Sequence, residues 1–445
     1  MEEFLTEQYL PCSIKELYGY ENRKKISFDQ NWVRVIPSIE IVPMYHGYRL
    51  FTSKGIFFID KKEFENLIYF QEAKKIDILK KKDIEYLEKF NYYGLLDFSP
   101  GKSEIKIFPF SKEIEDKYNG NKEYSWFSFA PGKIEIDITS QCNLSCIHCS
   151  RDSQNSIPNT QLSLSEIKTI LKNAILTGTK SLNIMGGEPT CSPFLFEICD
   201  FAKKLGYGSL NTSSNGWNIN EKIAKKLSRY FDKVQLSLHG ATQISHDKIV
   251  GKKGAFNQII NACKNLKKYG VNVRISCTVM QENYNEIPQI ANFVSSIGAN
   301  NLRFLVLSPL GRGKNLAQWS MEERNKIGNI LKNVSQEIYQ KNTDLKIEAG
   351  GFPSIEEIRT DVTFYGCPAG RDLLYISSDG NVSCCGVIEE YIGNIREQSI
   401  LDIWHSEKLI KLRSLNEGEC SFKGICSGPC RSSLNNPYTI YKCFH

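Results

Sequence analysis

With 445 residues, the chain is long enough for two or three domains with a sizeable buried core. Apolar residues make up 41% and charged residues 24% of it, and no apolar run could cross a bilayer, so membrane insertion is not expected. The opening, MEEFLTEQYL, is acidic where a secretory signal needs a basic flank, which predicts a cytoplasmic protein. The net charge of +6 comes from lysine runs that alternate with acids, as on a solvated surface, so a nucleic-acid partner is not expected.

The first part of the chain places short strand patterns before helical ones. The strand patterns are WVRVIP, IEIVPMY, YRLFTS and GIFFI, and helical patterns follow from Lys61 to about Phe90. This order predicts a small winged-helix-like α+β module over residues 1–111. Residues 112–130 are polar and rich in turn formers, which predicts a linker.

Residues 131–345 alternate strand and helix patterns. The first strand, KIEIDITS, precedes a helix that begins with a Ser163/Glu166 capping box and carries apolar side chains at helical spacing. Five further strands, each followed by a helical stretch, are SLNIM, GSLNT, KVQLSL, VNVRISCTV and NLRFLVL. Six βα units with right-handed crossovers predict a parallel sheet in an open, partial barrel, with the active site at the carboxyl ends of the strands.

Fifteen cysteines indicate metal binding, because thiols in the cytosol stay reduced and seldom form disulfides. Cys142, Cys146 and Cys149 follow the first barrel strand with the spacing C-x3-C-x2-C. Three thiolates on one loop can each bind one iron of a cubane and leave the fourth iron open for a ligand. A structural zinc site is the alternative, but zinc prefers four protein ligands.

The motifs CNLSCIHC, GGEPT and SLHG together resemble the radical S-adenosylmethionine (SAM) superfamily, whose members cleave SAM on a [4Fe-4S] cluster. The resemblance implies that His148 packs near the adenine of SAM and that the loop after the second strand receives its methionine amino group. That loop comprises Gly186, Gly187, Glu188 and Pro189. Asn215 and Ser237 match family positions near the ribose and carboxylate of SAM, although both could be ordinary loop residues.

Other residues in these loops have no assigned role. His239 stands where many relatives have Asp, and a lone histidine is more often a surface or packing residue than a catalytic one. Arg274 is either a carboxylate partner or part of a structural ion pair. Gly311-Arg312-Gly313 either orients substrate or SAM or forms a helix-entry turn. The sequence identifies no catalytic acid or base.

The C-terminal part, residues 346–445, carries a second set of cysteines whose spacing resembles the SPASM extension of radical SAM enzymes, which usually holds two auxiliary [4Fe-4S] clusters. The resemblance implies two interleaved ligand sets, one of Cys367, Cys385 and Cys430 and the other of Cys420, Cys426 and Cys443. The chain departs from the family where Glu417 takes the place of a cysteine. Ligation by Glu417, an open iron, a single auxiliary cluster or a thiolate from Cys384 all remain open, as do a zinc site and a redox thiol pair.

The other cysteines are expected in the core. Cys263 and Cys277 lie on apolar faces, and Cys12, Cys191 and Cys199 have no ligand spacing. Buried cysteine behaves as a small hydrophobic residue, so packing explains most of them.

The N-terminal pattern is similar to the recognition element with which radical SAM enzymes capture the leader of a ribosomally made peptide, as an added strand. The predicted function is therefore a peptide maturase that forms a thioether, a carbon–carbon crosslink or an epimerised residue. Its expected partners are a precursor peptide with a leader segment and an electron donor such as flavodoxin or ferredoxin. Two alternatives are a sulfatase-maturase-like oxidase of a protein Cys or Ser, and an iron–sulfur regulatory protein that binds DNA. The GGEP loop argues against a regulator.

Overall fold

In the computed structural model the chain forms two compact units, one of residues 1–129 with 360–363 and one of residues 130–359 with 364–445. The structure describes residues 32–35, 38–44, 47–52, 55–59, 61–75, 79, 87, 90, 96–97, 104–107, 130–158, 160–231, 233–341, 345–350, 352, 368–388 and 390–414. In these ranges, none of the helices combines the length and the apolar character needed to cross a bilayer.

The first unit contains two small sheets. Its described elements are β1 (Trp32–Val35), β2 (Ser38–Met44), β3 (Gly47–Thr52), β4 (Gly55–Ile59), α1 (Lys61–Tyr69), β5 (Lys74–Lys75), β6 (Leu96–Asp97) and β7 (Glu104–Ile107). One sheet has the order β4-β3-β2-β7, with β7 parallel to β2, and the other has the order β5-β1-β6. The four strand patterns and the helix that begins at Lys61 agree with the sequence. The helical pattern is interrupted by β5, since pairing with β1 overrides the local preference.

The second unit is an α/β structure. Its strands are β8 (Lys133–Asp137), β9 (Ser181–Met185), β10 (Ser209–Ser214), β11 (Lys233–Ser237), β12 (Asn272–Val279), β13 (Asn301–Val306), β14 (Lys346–Gly350), β15 (Leu373–Ile376), β16 (Asn381–Ser383) and β17 (Gly393–Asn394). Its described helices are α2 (Leu164–Leu176), α3 (Leu195–Leu205), α4 (Glu221–Leu227), α5 (Gln243–Val250), α6 (Ala255–Lys268), α7 (Ile287–Ser296), α8 (Met321–Gln340), α9 (Ile400–Trp404) and α10 (Glu407–Ser414).

These strands form one sheet with the order β14-β13-β12-β11-β10-β9-β8-β15-β16-β17. The six predicted strands are β8 to β13, all parallel, and the predicted partial barrel is confirmed. β14 and β15, which were not predicted from the sequence, add a parallel strand on either side of these six. Both are short, and β15 is buried throughout without a periodic signal. β15 joins the C-terminal segment directly to the first barrel strand.

The helices cover one face of the sheet and leave the other face partly accessible. Side chains along β8, β9 and β11 alternate between buried and half-buried positions, as expected when one face packs under helices. The predicted capping box of α2 is present, and its apolar face is buried as the spacing predicted, at Ile167, Ile170, Leu171, Ala174 and Ile175. Arg274 of β12 reaches Glu348 of β14 across β13 (Nη2 to Oε1, 3.1 Å), so it forms the structural ion pair that the sequence left open.

Candidate functional site

The loop with the three clustered cysteines leaves the sheet directly after β8. Cys142 is buried, Cys146 and Cys149 are half-buried, and all three thiols are free of disulfides. The N–H of Cys142 donates to Gln154 O (2.8 Å), which closes the loop on itself. The three predicted ligand positions therefore lie on one closed loop at the carboxyl end of the first barrel strand.

The thiols of this loop lie in a desolvated environment. Burial raises the pKa of Cys142 to about 11 and that of Cys146 to about 12, so both favour the protonated form unless a metal binds them. Across the ranges that the structure describes, no three His, Cys, Asp or Glu side chains gather around one point as ligands of a single ion would. A cubane does not need such a point, because each thiolate binds a different iron. The donor set fits an iron–sulfur cluster.

The loop after β9 packs against the backbone of the cysteine loop. The N–H of Gly187 donates to Thr139 O (2.8 Å), and that of Glu188 donates to Gln141 O (2.8 Å). A Cβ on Gly186 would lie 2.4 Å from Thr139 O, and one on Gly187 would lie 2.4 Å from Gln141 O. Both glycines are therefore required by the contact between the two loops, whatever ligand they also face.

Glu188 ties this loop to the one after β10. Its Oε1 accepts from the N–H and hydroxyl of Thr190 (3.1 and 2.6 Å) and from the hydroxyl of Ser214 (2.8 Å), and its Oε2 accepts from the N–H of Asn215 (2.7 Å). Burial raises the pKa of Glu188 above its ordinary value, although these hydrogen bonds oppose the shift. The carboxylate is held by protein donors and links the loop after β9 to the loop after β10.

Asn215 reaches from the β10 loop to the first cysteine. Its Nδ2 donates to Asn143 Oδ1 (2.7 Å) and lies 3.8 Å from the Sγ of Cys142. Its Oδ1 accepts from the N–H of Trp217 (2.9 Å), which fixes the orientation of the amide. Asn215 is therefore positioned beside a predicted metal ligand, where a hydrogen bond to sulfur tunes a bound cluster.

Gly311-Arg312-Gly313 forms a 3₁₀ turn that packs on the cysteine loop. Arg312 Nε donates to Cys146 O (2.8 Å), its Nη1 donates to Ser153 O and Asp152 Oδ1 (both 2.9 Å), and its N–H donates to Cys149 O (2.9 Å). A Cβ on Gly311 would lie 2.3 Å from Cys149 O. The turn thus clamps the second half of the cysteine loop.

Three histidines form a row next to this loop, in which His239 and His246 are buried and His148 is half-buried. The rings of His148 and His239 meet edge to face at 4.2 Å between centroids, and those of His239 and His246 stack at 6.1 Å. The N–H of His239 donates to His246 Nδ1 (3.1 Å), and the Nδ1 of His239 accepts from the N–H of Thr278 (3.2 Å), so both rings are fixed in place. Burial lowers the pKa of His148 and His246 to about 4 and that of His239 well below its usual value, so the row is neutral at pH 7. The Nδ1 of His148 is buried with no hydrogen-bond partner among the described residues.

Of the remaining predicted residues, some lie within the described ranges and others lie outside them. Ser237 ends β11 beside Ser276 of β12, at the same edge of the sheet as the cysteine loop. Cys384 is buried and Cys385 is half-buried in a turn after β16. Five predicted cluster cysteines, Cys367, Cys420, Cys426, Cys430 and Cys443, lie outside the described residues, as do Glu417 and Cys12. Cys199, Cys263 and Cys277 are buried, as predicted for core cysteines, and Cys191 is half-buried.

Several residues of the site were not predicted from the sequence. Lys252 places its Nζ 4.0 Å from the ring centre of Trp217 and donates to Asn143 O (2.9 Å), so it bridges two loops beside the cysteines. Arg151 and His246 also lie here without having been singled out. None of them belongs to a motif with a fixed spacing, although Arg151 lies only two residues after Cys149.

Two family models match the chain. One, described as the radical SAM superfamily, matches residues 136–294, and the other, SPASM, described as an iron-sulfur cluster-binding domain, matches residues 367–431. Among curated proteins, an AdoMet-dependent heme synthase of Methanosarcina barkeri is 27% identical over 70% of this chain and 97% of its own length. The subtilosin biosynthesis protein AlbA of Bacillus subtilis is 26% identical over 78% of this chain and 76% of its own length.

A solved structure is similar over almost the whole chain. SuiB of Streptococcus suis, bound to its precursor peptide SuiA, superposes with a TM-score of 0.65 at 20% identity. The likeness covers 93% of this chain and 97% of SuiB, so it includes the first unit as well as the barrel. At this identity it demonstrates a common fold.

Proposed function

We propose that this chain, a radical SAM enzyme that belongs to the radical SAM superfamily and carries a C-terminal SPASM domain, modifies a ribosomally made precursor peptide. Its cofactors are SAM, the [4Fe-4S] cluster that binds SAM, and auxiliary iron–sulfur clusters. The observation that carries the proposal is the closed loop of Cys142, Cys146 and Cys149, held by glycine contacts at the mouth of an open barrel.

In this proposal Cys142, Cys146 and Cys149 would each hold one iron of the cluster, which would leave one iron open to SAM. When bound, the cluster supplies the electron that cleaves SAM to a 5′-deoxyadenosyl radical, which abstracts hydrogen from the peptide. His148, whose ring meets that of His239 edge to face, would pack near the adenine. Gly186 to Pro189 lie at the methionine end, and Asn215 and Ser237 lie along the ribose and carboxylate.

The peptide substrate is supported by the first unit and by two similar proteins. In the sheet β4-β3-β2-β7, β4 and β7 stand at the edges among the described strands, and a leader added there would gain main-chain hydrogen bonds. AlbA is a bacteriocin biosynthesis protein, and SuiB was solved with a precursor peptide. We assign residues 1–111 to leader recognition, 112–130 to a linker, 131–345 to the barrel and 346–445 to the auxiliary clusters.

The C-terminal cysteines are assigned to two auxiliary clusters. Cys367, Cys385 and Cys430 bind one, and Cys420, Cys426 and Cys443 bind the other, with Glu417 or an open iron at the position that lacks a cysteine. An open iron would favour a thioether product, because a peptide thiolate could bind it. A flavodoxin or ferredoxin would supply electrons.

A second candidate is a step in heme synthesis, favoured by the likeness to the heme synthase over 97% of that protein. That likeness leaves 30% of this chain unmatched, whereas the likeness to AlbA leaves 22%. A heme synthase also has no evident need for a sheet edge that takes up a peptide. The peptide proposal therefore accounts for more of the chain.

The deciding experiment is anaerobic. The reconstituted protein receives SAM and dithionite, and 5′-deoxyadenosine is measured with no addition, with a synthetic precursor encoded beside the gene, or with iron coproporphyrin. We expect the peptide alone to stimulate formation and to change mass, and deletion of residues 1–110 to abolish both effects. Stimulation by the porphyrin alone would establish the second candidate, and product from a Cys142→Ala, Cys146→Ala, Cys149→Ala control would refute the cluster assignment.

A further inference from the structure

One side chain of the cysteine loop reaches the C-terminal cysteines. Arg151 Nε pairs with Asp137 Oδ2 at the end of β8 (2.8 Å), and its Nη1 donates to the backbone oxygen of Gly386 (2.6 Å). Arg151 lies two residues after Cys149, and Gly386 directly follows Cys385. A single guanidinium therefore links the two cysteine-bearing loops.

The guanidinium is enclosed on its other sides. Its central carbon lies 4.5 Å from the ring centre of Tyr375, whose hydroxyl donates to the same oxygen of Asp137. A Cβ on Gly386 would lie 2.5 Å from Arg151 Nη2, so a larger residue at this position would displace the guanidinium. The Arg151 side chain is 18% exposed and that of Asp137 is 5% exposed. Charge-assisted hydrogen bonds in such a desolvated place hold their geometry firmly.

The turn that receives Arg151 is itself braced. The hydroxyl of Ser383 donates to Cys385 O (2.7 Å), and the N–H of Ile388 donates to the same oxygen (3.3 Å). A displacement of Gly386 would therefore carry Cys385 with it. On the other side, the ion pair with Asp137 anchors Arg151 to the barrel strand that leads into the cysteine loop.

We infer that Arg151 is a positioning residue that sets the distance and orientation between the SAM-binding cluster and the auxiliary cluster ligated by Cys385. The inference rests on the cluster assignment of the proposed function. Without Arg151, Asp137 keeps its place in the barrel, but the Cys385 turn loses its polar link to the cysteine loop. The two clusters would then sample a wider range of separations.

A second arginine provides the matched control. Arg396 also joins the C-terminal segment to the barrel, through Glu166 Oε1 (2.5 Å) and Thr160 O (3.1 Å). It lies on the exposed side of α2 and is no sequence neighbour of a predicted cluster ligand. A purely structural contribution to the junction would be lost in both variants, whereas an effect on cluster geometry is expected only at Arg151.

The test compares the reconstituted wild type with Arg151→Met, Arg151→Lys and Arg396→Met. After reduction with dithionite, EPR measures the dipolar coupling between the two reduced clusters, and iron content and thermal unfolding are recorded alongside. We expect Arg151→Met to weaken and broaden the coupling. Arg151→Lys should do the same, because one ammonium on a shorter stem cannot hold both Asp137 and Gly386. Arg396→Met should keep the wild-type coupling.

A double variant separates geometry from charge. Arg151→Met leaves Asp137 with its hydrogen bond from Tyr375 but without a cationic partner, whereas Asp137→Asn with Arg151→Met restores neutrality without restoring the link to Gly386. We expect the double variant to keep the altered coupling, and a return to the wild-type signal would overturn the inference. If Arg151→Met has full iron content and unchanged coupling, the inference about Arg151 is overturned while the proposed function stands. If the wild type shows no EPR signal from an auxiliary cluster, the cluster assignment is overturned as well.

Discussion

The outer helices and the loops at the carboxyl ends of the strands are held in different ways. α2 is fastened by an apolar face and a local capping box, both formed by the helix and the residue before it, together with one exposed ion pair from Glu166 to Arg396. The cysteine loop is fastened by residues far away in the chain, such as Gly187 and Arg312. Substitutions in the helices should therefore cost stability alone, whereas substitutions in the loops should cost the cluster and its chemistry.

The largest effect is expected at Gly187. Alanine would place a Cβ 2.4 Å from Gln141 O, so the cysteine loop must move. A displacement near 1 Å at reacting groups can cost about 100-fold in rate, and we expect a loss of that order in 5′-deoxyadenosine formation by Gly187→Ala, with reduced iron content.

Gly206→Ala is the control at a helix end. No atom lies within 4 Å of its added Cβ, but its φ of +90° should cost about 1 kcal/mol of unfolding free energy. Iron content should stay at the wild-type value. If Gly187→Ala and Gly206→Ala lose the same amount of iron, the proposed difference between loop and helix substitutions is wrong.

The next effect is expected at Arg312. Arg312→Met removes three hydrogen bonds to the cysteine loop and should lower the unfolding free energy by about 2 to 3 kcal/mol. Iron should also be lost faster during anaerobic dialysis against a chelator. Lys314→Met changes an exposed residue of the same turn and should behave as wild type; iron loss at the wild-type rate in Arg312→Met would show that the clamp is dispensable.

A smaller effect concerns pH. The pKa of His246 is about 4 in the folded protein, below its usual value near 6.5, so its contribution to stability is present above pH 6.5 and is lost as the pH falls toward 4. Between pH 7.5 and 5.5 this amounts to about 1 kcal/mol. His246→Asn keeps an acceptor for the N–H of His239, so denaturant unfolding at the two pH values should show a smaller difference than in wild type. An unchanged difference would assign the pH dependence to other groups.

The smallest effects are expected on α2. Ser163→Ala removes the cap and should cost about 1 kcal/mol. Glu166→Gln removes the ion pair with Arg396. Both side chains are about one-third exposed, so the pair should contribute less than about 1 kcal/mol to the unfolding free energy. Thermal unfolding should register both changes, and 5′-deoxyadenosine formation should register neither. A loss of activity in Ser163→Ala would show that a change in α2 also disturbs the cysteine loop.

Much of this protein could be predicted from its sequence. The six barrel strands, the capping box, the buried face of α2 and the three-cysteine loop all follow from patterns within a few residues. The strands β14 and β15 were not predicted because each is too short to show a clear alternation of apolar and polar residues. Their pairing with β13 and β8 stabilises the extended conformation that local propensity alone does not favour. The glycines of the β9 loop were expected to accommodate a ligand, and the structure shows that they first accommodate another loop.

The sequence by itself determined the class of fold and the chemistry-bearing cysteines, because periodicity and ligand spacing are local properties. Only the tertiary structure decided what surrounds those cysteines: the amide of Asn215, the clamp of Arg312, the neutral row of histidines and the link from Arg151 to Gly386. These contacts join segments up to 235 residues apart. Such contacts depend on which strands lie side by side in the sheet, and no short pattern along the chain encodes that order.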